Sequence, residues 1–152
     1  MPTRLLRAII DTNVVFEGLT KRGGAPGLII EAWVAGLFRA CVSNSLAYEY
    51  QEILSRELSE ERWQKTKSIL GTLLARAEYV PIHFSWRPVS PDPGDDHVVD
   101  CAMNAGAPIV TSNVRDFHLA MRELGVPAMT PVEFVTRLSK ESNEPDNPVA
   151  GR

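Results

Sequence analysis

The sequence predicts an α/β fold, a three-layer α/β/α sandwich around a parallel sheet of four to five strands. Short apolar runs alternate with longer segments of helical periodicity, and turn residues separate the two kinds of segment. The apolar runs have no polar side, which is typical of parallel strands because helices cover both of their faces. We therefore expect one sheet with helices packed on each face.

The elements are assigned from apolar periodicity and from the residues that begin helices. Short uninterrupted apolar runs predict strands, whereas apolar residues three and four apart predict helices. Pro26 suits the start of one helix, Ser43 or Asn44 caps the next, and the acidic turn after Ser59 favours a third. In order, the predicted elements are strand 5–10, helix 28–38, strand 39–43, helix 44–58, helix 59–77, strand 78–82, helix 94–105, strand 107–112, helix 116–124, strand 126–129 and helix 131–139.

Prolines and polar residues mark the boundaries in the second half of the chain. Pro81 ends the third strand, and Asp92 followed by Pro93 is typical of an N-cap and the first residue of a helix. Residues 140–152 have almost nothing to bury, so we expect a disordered tail after a folded domain at 1–139.

Composition and charge limit the function. The chain has 152 residues, 44% of them hydrophobic, which is enough for one domain with its own core. No apolar run approaches the roughly 20 residues that span a bilayer, so no membrane partner is expected. Cys41 and Cys101 stand among apolar residues and indicate buried thiols in a reducing compartment, so we expect a cytoplasmic location. A net charge of −3 gives no basic field for nucleic acid, although bound cations can reverse the sign of an acidic pocket.

Two acids stand near the ends of the first two strands. Asp11 follows Ile10 directly, at the carboxyl end of a strand, where ligands bind in such sheets; it could equally be the N-cap of a following helix. Glu49 lies three residues after Leu46 and four before Ile53, at the margin of the buried stripe of its helix. Glu49 is therefore either a surface glutamate or a neighbour of Asp11.

The helix at 94–105 carries three more acids. Asp95 precedes Val98 by three residues and Val99 by four, which places it on the buried face. Asp96 is rotated by about 100° and is the second choice, and Asp100 belongs to the outer face.

Polar residues also follow the fourth strand. Asn113 offers a neutral oxygen, and Asp116 is either a helix cap or a further acid of the same edge. Acids gathered at one edge without cations would repel one another, and oxygen ligands suit Mg²⁺ or Mn²⁺. The sequence therefore predicts a metal site.

Four segments, in order, resemble those of the PIN-domain nucleases: IIDTNVVF, SNSLAYEYQEIL, DPGDDHVVDCAMNAGA and IVTSNVRDF. The resemblance covers about residues 7–137 and points to the VapC-like ribonucleases, which are toxin components of toxin–antitoxin systems. It implies an endoribonuclease that depends on Mg²⁺ or Mn²⁺ and hydrolyses single-stranded RNA. It also implies a protein antitoxin as partner and a homodimer.

The resemblance assigns roles to individual residues. Asp11, Glu49 and Asp95 match the first three family acids and would hold the metal, and Asp95 or Asp116 could take the proton of the attacking water. The fourth family position falls on Asn113, where some members have a carboxylate, so the number of metals stays open. The polar residues that would orient these groups are Thr12, Asn13, Ser43, Thr111 and Asp96.

The sequence leaves two alternative functions open and argues against others. A non-catalytic PIN-like binding module and a PIN nuclease with a housekeeping role in RNA processing remain alternatives. A receiver domain would need a lysine after the strand near 129, and a dehalogenase-like phosphatase would need an aspartate where Asn13 stands.

The histidines His83, His97 and His118 lack the spacing of zinc ligands. The basic residues that could contact RNA, or could simply be solvated, are Lys21, Arg22, Arg56, Arg62, Lys65, Lys67 and Arg115.

Overall fold

A computed structural model of the protein describes residues 5–85 and 92–143. It contains one sheet of five parallel strands in the order β3-β2-β1-β4-β5, which confirms the predicted parallel sheet. The strands are β1 (Arg7–Ile10), β2 (Arg39–Val42), β3 (Glu78–Tyr79), β4 (Ile109–Val110) and β5 (Ala128–Met129).

Seven helices and two short 3-10 helices connect and cover the strands of the described ranges. The helices are α1 (Thr12–Thr20), α2 (Gly24–Ala35), α3 (Asn44–Glu57), α4 (Glu60–Ala75), α5 (Asp96–Ala105), α6 (His118–Leu124) and α7 (Pro131–Asn143). The 3-10 helices are Pro93–Asp95 and Val114–Phe117. None of the helices in these ranges is both long and apolar enough to cross a bilayer.

The order of the strands determines where a ligand site can form. The chain runs from β1 outward to β2 and β3, then returns to β4 and β5 on the other side of β1. Because such crossovers are right-handed, α1 to α4 cover one face of the sheet, and α5 and α6 cover the other. The order in which strands are added to the sheet therefore reverses between β1 and β4. The crevice beyond the carboxyl ends of two such strands is the usual binding site of this architecture.

The core includes buried residues of the sheet and of the helices that cover both of its faces, and several of its aromatic rings contact one another. Trp33 is buried, and its indole nitrogen donates a hydrogen bond of 2.9 Å to the backbone oxygen of Leu73. Its ring lies edge-on to Phe38 and Tyr50. Cys41 and Cys101 are the buried free thiols expected from the sequence.

Most element boundaries differ from the predictions by a few residues. Helix α1 was not among the predicted elements, although the sequence left open that Asp11 is the N-cap of a following helix. Strand β3 ends at Tyr79, ahead of the predicted end at 82, which is consistent with the missing backbone donor of Pro81. Helix α7 continues to Asn143, so the expected tail begins with helical residues. Residues 144–152, like 86–91 with Trp86, lie outside the described ranges.

Candidate active site

A cleft of about 530 Å³ opens at the carboxyl edge of the sheet, between β1 and β4, where the strand order reverses. All five residues predicted as metal ligands line it, together with Thr12 and Asn13. Its carboxylates are Asp11, Glu17, Glu49, Glu57, Asp95 and Asp116, and its described lining also includes the amide of Asn113 and the ammonium of Lys21. Elements far apart in the sequence thus bring a concentration of negative charge to one place.

Asp11 has two roles at once. It is the N-cap of α1, where one carboxylate oxygen accepts a hydrogen bond of 2.8 Å from the backbone nitrogen of Thr12. The other oxygen accepts a bond of 2.8 Å from the hydroxyl of Thr111. Burial raises the pKa of Asp11, and these two hydrogen bonds oppose that rise. The capping role and the site role, which the sequence left as alternatives, are therefore compatible.

Glu49 is held from two sides. The hydroxyl of Thr12 donates to one of its oxygens, and Nε2 of His97 lies 3.2 Å from the other. Burial pushes the pKa of Glu49 up, but the contacts with His97 and Thr12 outweigh burial and lower it. Because Thr12 contacts both Asp11 and Glu49, this one residue sets the relative positions of the two acids.

Helix α3 is fastened to the sheet beside Glu49. The buried hydroxyl of Tyr50 donates to the backbone oxygen of Ile10, the last residue of β1. Ser43 begins the helix, where its hydroxyl accepts a bond of 3.1 Å from the backbone nitrogen of Leu46. Ser43 does not contact the cleft, so its contribution is to the orientation of the helix that carries Glu49.

Thr111 links the ends of β1 and β4. Its side chain is fully buried and, besides donating to Asp11, accepts a bond of 3.0 Å from the backbone nitrogen of Asn113. The amide nitrogen of Asn13 approaches the same hydroxyl at 3.4 Å, and the amide oxygen of Asn13 accepts a bond of 3.2 Å from Ser112. These contacts orient the turn that presents Asn113 to the cleft.

Asp95 and Asp116 line the cleft from the second half of the chain. Burial and the negative charge of Asp11, Asp92 and Asp116 raise the pKa of Asp95 to about 7. Asp116 lies within the 3-10 helix before α6 and is not the cap of α6. Within residues 5–85 and 92–143, neither side chain forms a hydrogen bond, so their carboxylates are available to a ligand.

The sequence reasoning missed three residues near these acids. His97 was set aside, yet it contacts Glu49, which raises the pKa of the imidazole although burial lowers it. Nδ1 of His97 is buried without a hydrogen-bond partner in the described part of the chain. Glu57 lines the cleft because it follows Glu49 by eight residues on one helix face, a signal that was present in the sequence. Glu17 belongs to the unpredicted α1.

The placement of Asp100 on an outer face is wrong. Asp100 is 5% exposed, and the hydroxyl of Ser85 lies 3.3 Å from one of its carboxylate oxygens. The side chain of Asn104 holds the backbone of His83 and Phe84, so that segment folds over this side of α5. Asp96 is also buried but does not line the cleft.

The donor set suits a hydrated divalent cation. Among the described residues, no three His, Cys, Asp or Glu side chains form a ready-made metal cage. Mg²⁺, however, keeps several waters and is usually held by one or two carboxylates together with substrate phosphates. The side chains of Asp11, Glu49 and Asp95 fit that requirement. A cation would also relieve the repulsion that raises the pKa of Asp95.

Comparisons with known proteins agree with this architecture. Solved structures of similar fold include VapBC2 from Rickettsia felis bound to a DNA fragment from their promoter, with a TM-score of 0.62, 17% identity, and coverage of 82% of this chain and 98% of that one. FitAcB from Neisseria gonorrhoeae gives a TM-score of 0.56 and 17% identity, covering 82% of this chain and 97% of that one. PAE2754 from Pyrobaculum aerophilum gives a TM-score of 0.60 and 15% identity, covering 89% of this chain and 90% of that one. At such identities the likeness is one of fold.

Sequence comparison extends this likeness beyond the fold. No curated protein matches the chain. The family model of the PIN domain, however, matches residues 7–115, which is more than half of the chain and includes Asp11, Glu49, Asp95 and Asn113. Asp116 is the residue directly after the match. The chain therefore belongs to the PIN-domain family, a family of nucleases.

Proposed function

We propose that the protein is a Mg²⁺- or Mn²⁺-dependent endoribonuclease that hydrolyses single-stranded RNA, and that it is the toxin of a cytoplasmic toxin–antitoxin pair. One observation carries this proposal. Asp11, Glu49 and Asp95 come from three separate elements and line a single cleft at the point where the strand order reverses. A purely structural role would not require three acids to be placed together against the repulsion between them.

The cation would be held by Asp11, Glu49 and Asp95, with Asn113 and Asp116 as further oxygen donors. When bound, such an ion lowers the pKa of a water molecule and stabilises negative charge on the phosphoryl group. Asn113 contributes no charge, so the number of metals depends on the remaining acids.

The chain itself supplies orientation and proton transfer. Thr12 and Thr111 hold Asp11 in one orientation, and Thr12 and His97 hold Glu49. A carboxylate oxygen of Asp95 or Asp116 takes the proton of the water that attacks phosphorus. Either acid can do so, because neither side chain is engaged in a hydrogen bond within the described ranges.

A protein antitoxin and a second copy of this chain are the proposed partners. The similar structures of VapBC2 and of FitAB bound to a DNA fragment support a protein partner, since both names denote complexes. Trp63 on α4 is partly exposed and is the candidate for a dimer or antitoxin contact. Light scattering after size-exclusion chromatography would distinguish a dimer from a monomer.

The test is cleavage of single-stranded RNA with Mn²⁺. We expect the wild type to cleave the RNA, and we expect cleavage to stop when EDTA is added. Asp11→Asn should lower the rate by about 10³-fold or more, because it removes a charge worth several kcal/mol in the transition state. Glu31→Gln, an acid-to-amide change on the exposed side of α2, serves as the matched control and should retain activity.

Two outcomes would contradict the proposal. Equal cleavage by wild type and Asp11→Asn, insensitive to EDTA, would reject the metal site. Binding of RNA without cleavage by the wild type would favour a non-catalytic PIN-like module.

A further inference from the structure

We infer that Lys21 binds a phosphate flanking the scissile bond of the RNA, exchanging its ion pair with Glu17 for a non-bridging phosphate oxygen. This inference rests on the proposed nuclease function and names a substrate contact of the same cleft. The ligand class is a phosphodiester backbone longer than one linkage.

Charge is the first argument. The six carboxylates of the cleft repel a polyanionic substrate, and Lys21 is the sole lysine or arginine among its described lining residues. Ions held by the acids would neutralise the scissile phosphate, but they leave the neighbouring phosphates without a positive partner. Lys21 provides one.

The second argument is the way in which Lys21 is held. Its ammonium lies 3.6 Å from a carboxylate oxygen of Glu17, and its side chain is 70% exposed. Pairs this exposed are weak and readily exchanged. Glu17 has a second partner, because the hydroxyl of Ser112 donates to its other oxygen at 2.7 Å. Glu17 therefore stays in place when Lys21 moves to a phosphate.

The third argument is position. Asp11 caps the first turn of α1, and Lys21 caps its last turn. Helical rise separates the two by about 15 Å along the axis. Lys21 is thus too far along α1 for the scissile phosphate next to Asp11, but it lines the same cleft, where a neighbouring phosphate of the strand would meet it.

The experiment compares substrates with and without a flanking phosphate. Cleavage of a single-stranded RNA of about ten nucleotides and of a dinucleoside monophosphate is measured with Mn²⁺ for the wild type, Lys21→Met and Lys140→Met. Lys140 is an exposed residue in the last turn of α7, next to the residues Ser139 and Glu141 that line a groove with Leu5 before β1. It is therefore a matched control at the opposite edge of the sheet.

We expect Lys21→Met to raise the KM for the longer RNA by about three- to five-fold and to leave the dinucleotide unaffected. The slope of log KM against log salt concentration should fall by about 0.7, as for one lost phosphate contact with a single strand. Glu17→Gln should lower KM, because it frees Lys21. Lys140→Met should match the wild type on both substrates.

A structural ion pair predicts a different pattern. In that case Lys21→Met and Glu17→Gln would change KM in the same direction, on both substrates, and the inference would be wrong. Equality of Lys21→Met and Lys140→Met would overturn it as well. A wild type that cleaves neither substrate would reject the proposed function and the inference together, whereas a cleaving wild type with an unaffected Lys21→Met would reject the inference alone.

Discussion

The two walls of the cleft hold their acids differently. On the fixed wall, formed by Asp11 and Glu49, every carboxylate oxygen contacts Thr12, Thr111 or His97. On the open wall, formed by Asp95 and Asp116, no side-chain hydrogen bond is present within residues 5–85 and 92–143. The acids of the fixed wall are held by contacts within the protein, whereas the acids of the open wall repel one another and have no hydrogen-bond partner among the described residues. We infer that the fixed wall determines the positions of the oxygen atoms that would hold a cation. We infer that the open wall supplies acids whose mutual repulsion a bound cation would relieve.

The largest effect should follow from breaking the fixed wall at Thr111. Replacing Thr111 by Val removes the buried hydroxyl that contacts Asp11 and Asn113. We expect the affinity for Mn²⁺ to fall about 10- to 100-fold, because the carboxylate loses the group that orients it. The free energy of unfolding should fall by about 1–3 kcal/mol, the cost of buried polar groups left unpaired. Titration calorimetry and denaturant unfolding measure the two quantities.

The matched control for Thr111 is Thr136 on α7. Its hydroxyl donates to the backbone oxygen of Val132 on the exposed surface. Thr136→Val should leave Mn²⁺ affinity unchanged. If the two valine variants behave alike, the fixed wall does not orient the metal ligands.

The next effect concerns the open wall. We expect Asp95→Asn to stabilise the metal-free protein at pH 8 by on the order of 1–2 kcal/mol, allowing for solvent screening. The folded pKa of Asp95 is about 7 and exceeds that of the unfolded chain, so ionisation favours unfolding. The penalty grows from about pH 4 to about pH 7 and is constant above. Thermal unfolding at several pH values measures it.

The pH series contains its own control for Asp95. Near pH 3 the wild type and Asp95→Asn should have nearly the same stability, because this pH lies below the ordinary aspartate pKa of 3.8 and the carboxyl is mostly protonated in both the folded and the unfolded state. A variant that is less stable than the wild type at pH 8 would show that the open wall is not repulsive.

A smaller effect is expected when His97 is replaced by Asn. The contact with Glu49 raises the pKa of His97, so the stabilisation is fully present below the usual histidine pKa and is lost as pH rises through the raised value. We expect a loss of about 1 kcal/mol near pH 6 and less near pH 9, by denaturant unfolding. His118→Asn, at an exposed position of α6, is the control. A loss independent of pH would mean that His97 acts by packing alone.

The smallest effect should come from an ion pair outside the cleft. Arg7 contacts both oxygens of Glu78, at 3.0 and 2.5 Å, but each side chain is more than a third exposed. Glu78→Gln should therefore cost less than about 1 kcal/mol at pH 7 and leave Mn²⁺ affinity unchanged. Arg7 lowers the pKa of Glu78, so the contribution exists above the ordinary glutamate pKa and disappears as pH falls through the lowered value. Chemical unfolding at neutral and acidic pH tests this.

Local patterns were sufficient for the sheet and for the positions of Asp11, Glu49 and Asp95 at one cleft. Uninterrupted apolar runs predict buried parallel strands, and Asp11 could be placed because it directly follows one of them. Glu49 and Asp95 could be placed because each has a position relative to the apolar stripe of its own helix. Such information is contained within about one helical turn of each residue.

Contacts between distant elements could not be predicted in this way. The pairing of His97 with Glu49 joins residues on two different helices, and it depends on how α3 and α5 approach each other. Asp100 was misplaced because a separate segment, held by Asn104, covers its helix face. Periodicity within one helix carries no information about either arrangement.

The hydroxyl of Tyr50 has a mechanical consequence for the acids beside it. Helix α3 is joined to neighbouring residues 10 and 12 twice, once by this phenol and once by the carboxylate of Glu49. Sliding the helix would disrupt both links together. The distance between Asp11 and Glu49 is therefore fixed when the domain folds. A substrate would meet one wall of the cleft that is already rigid before binding.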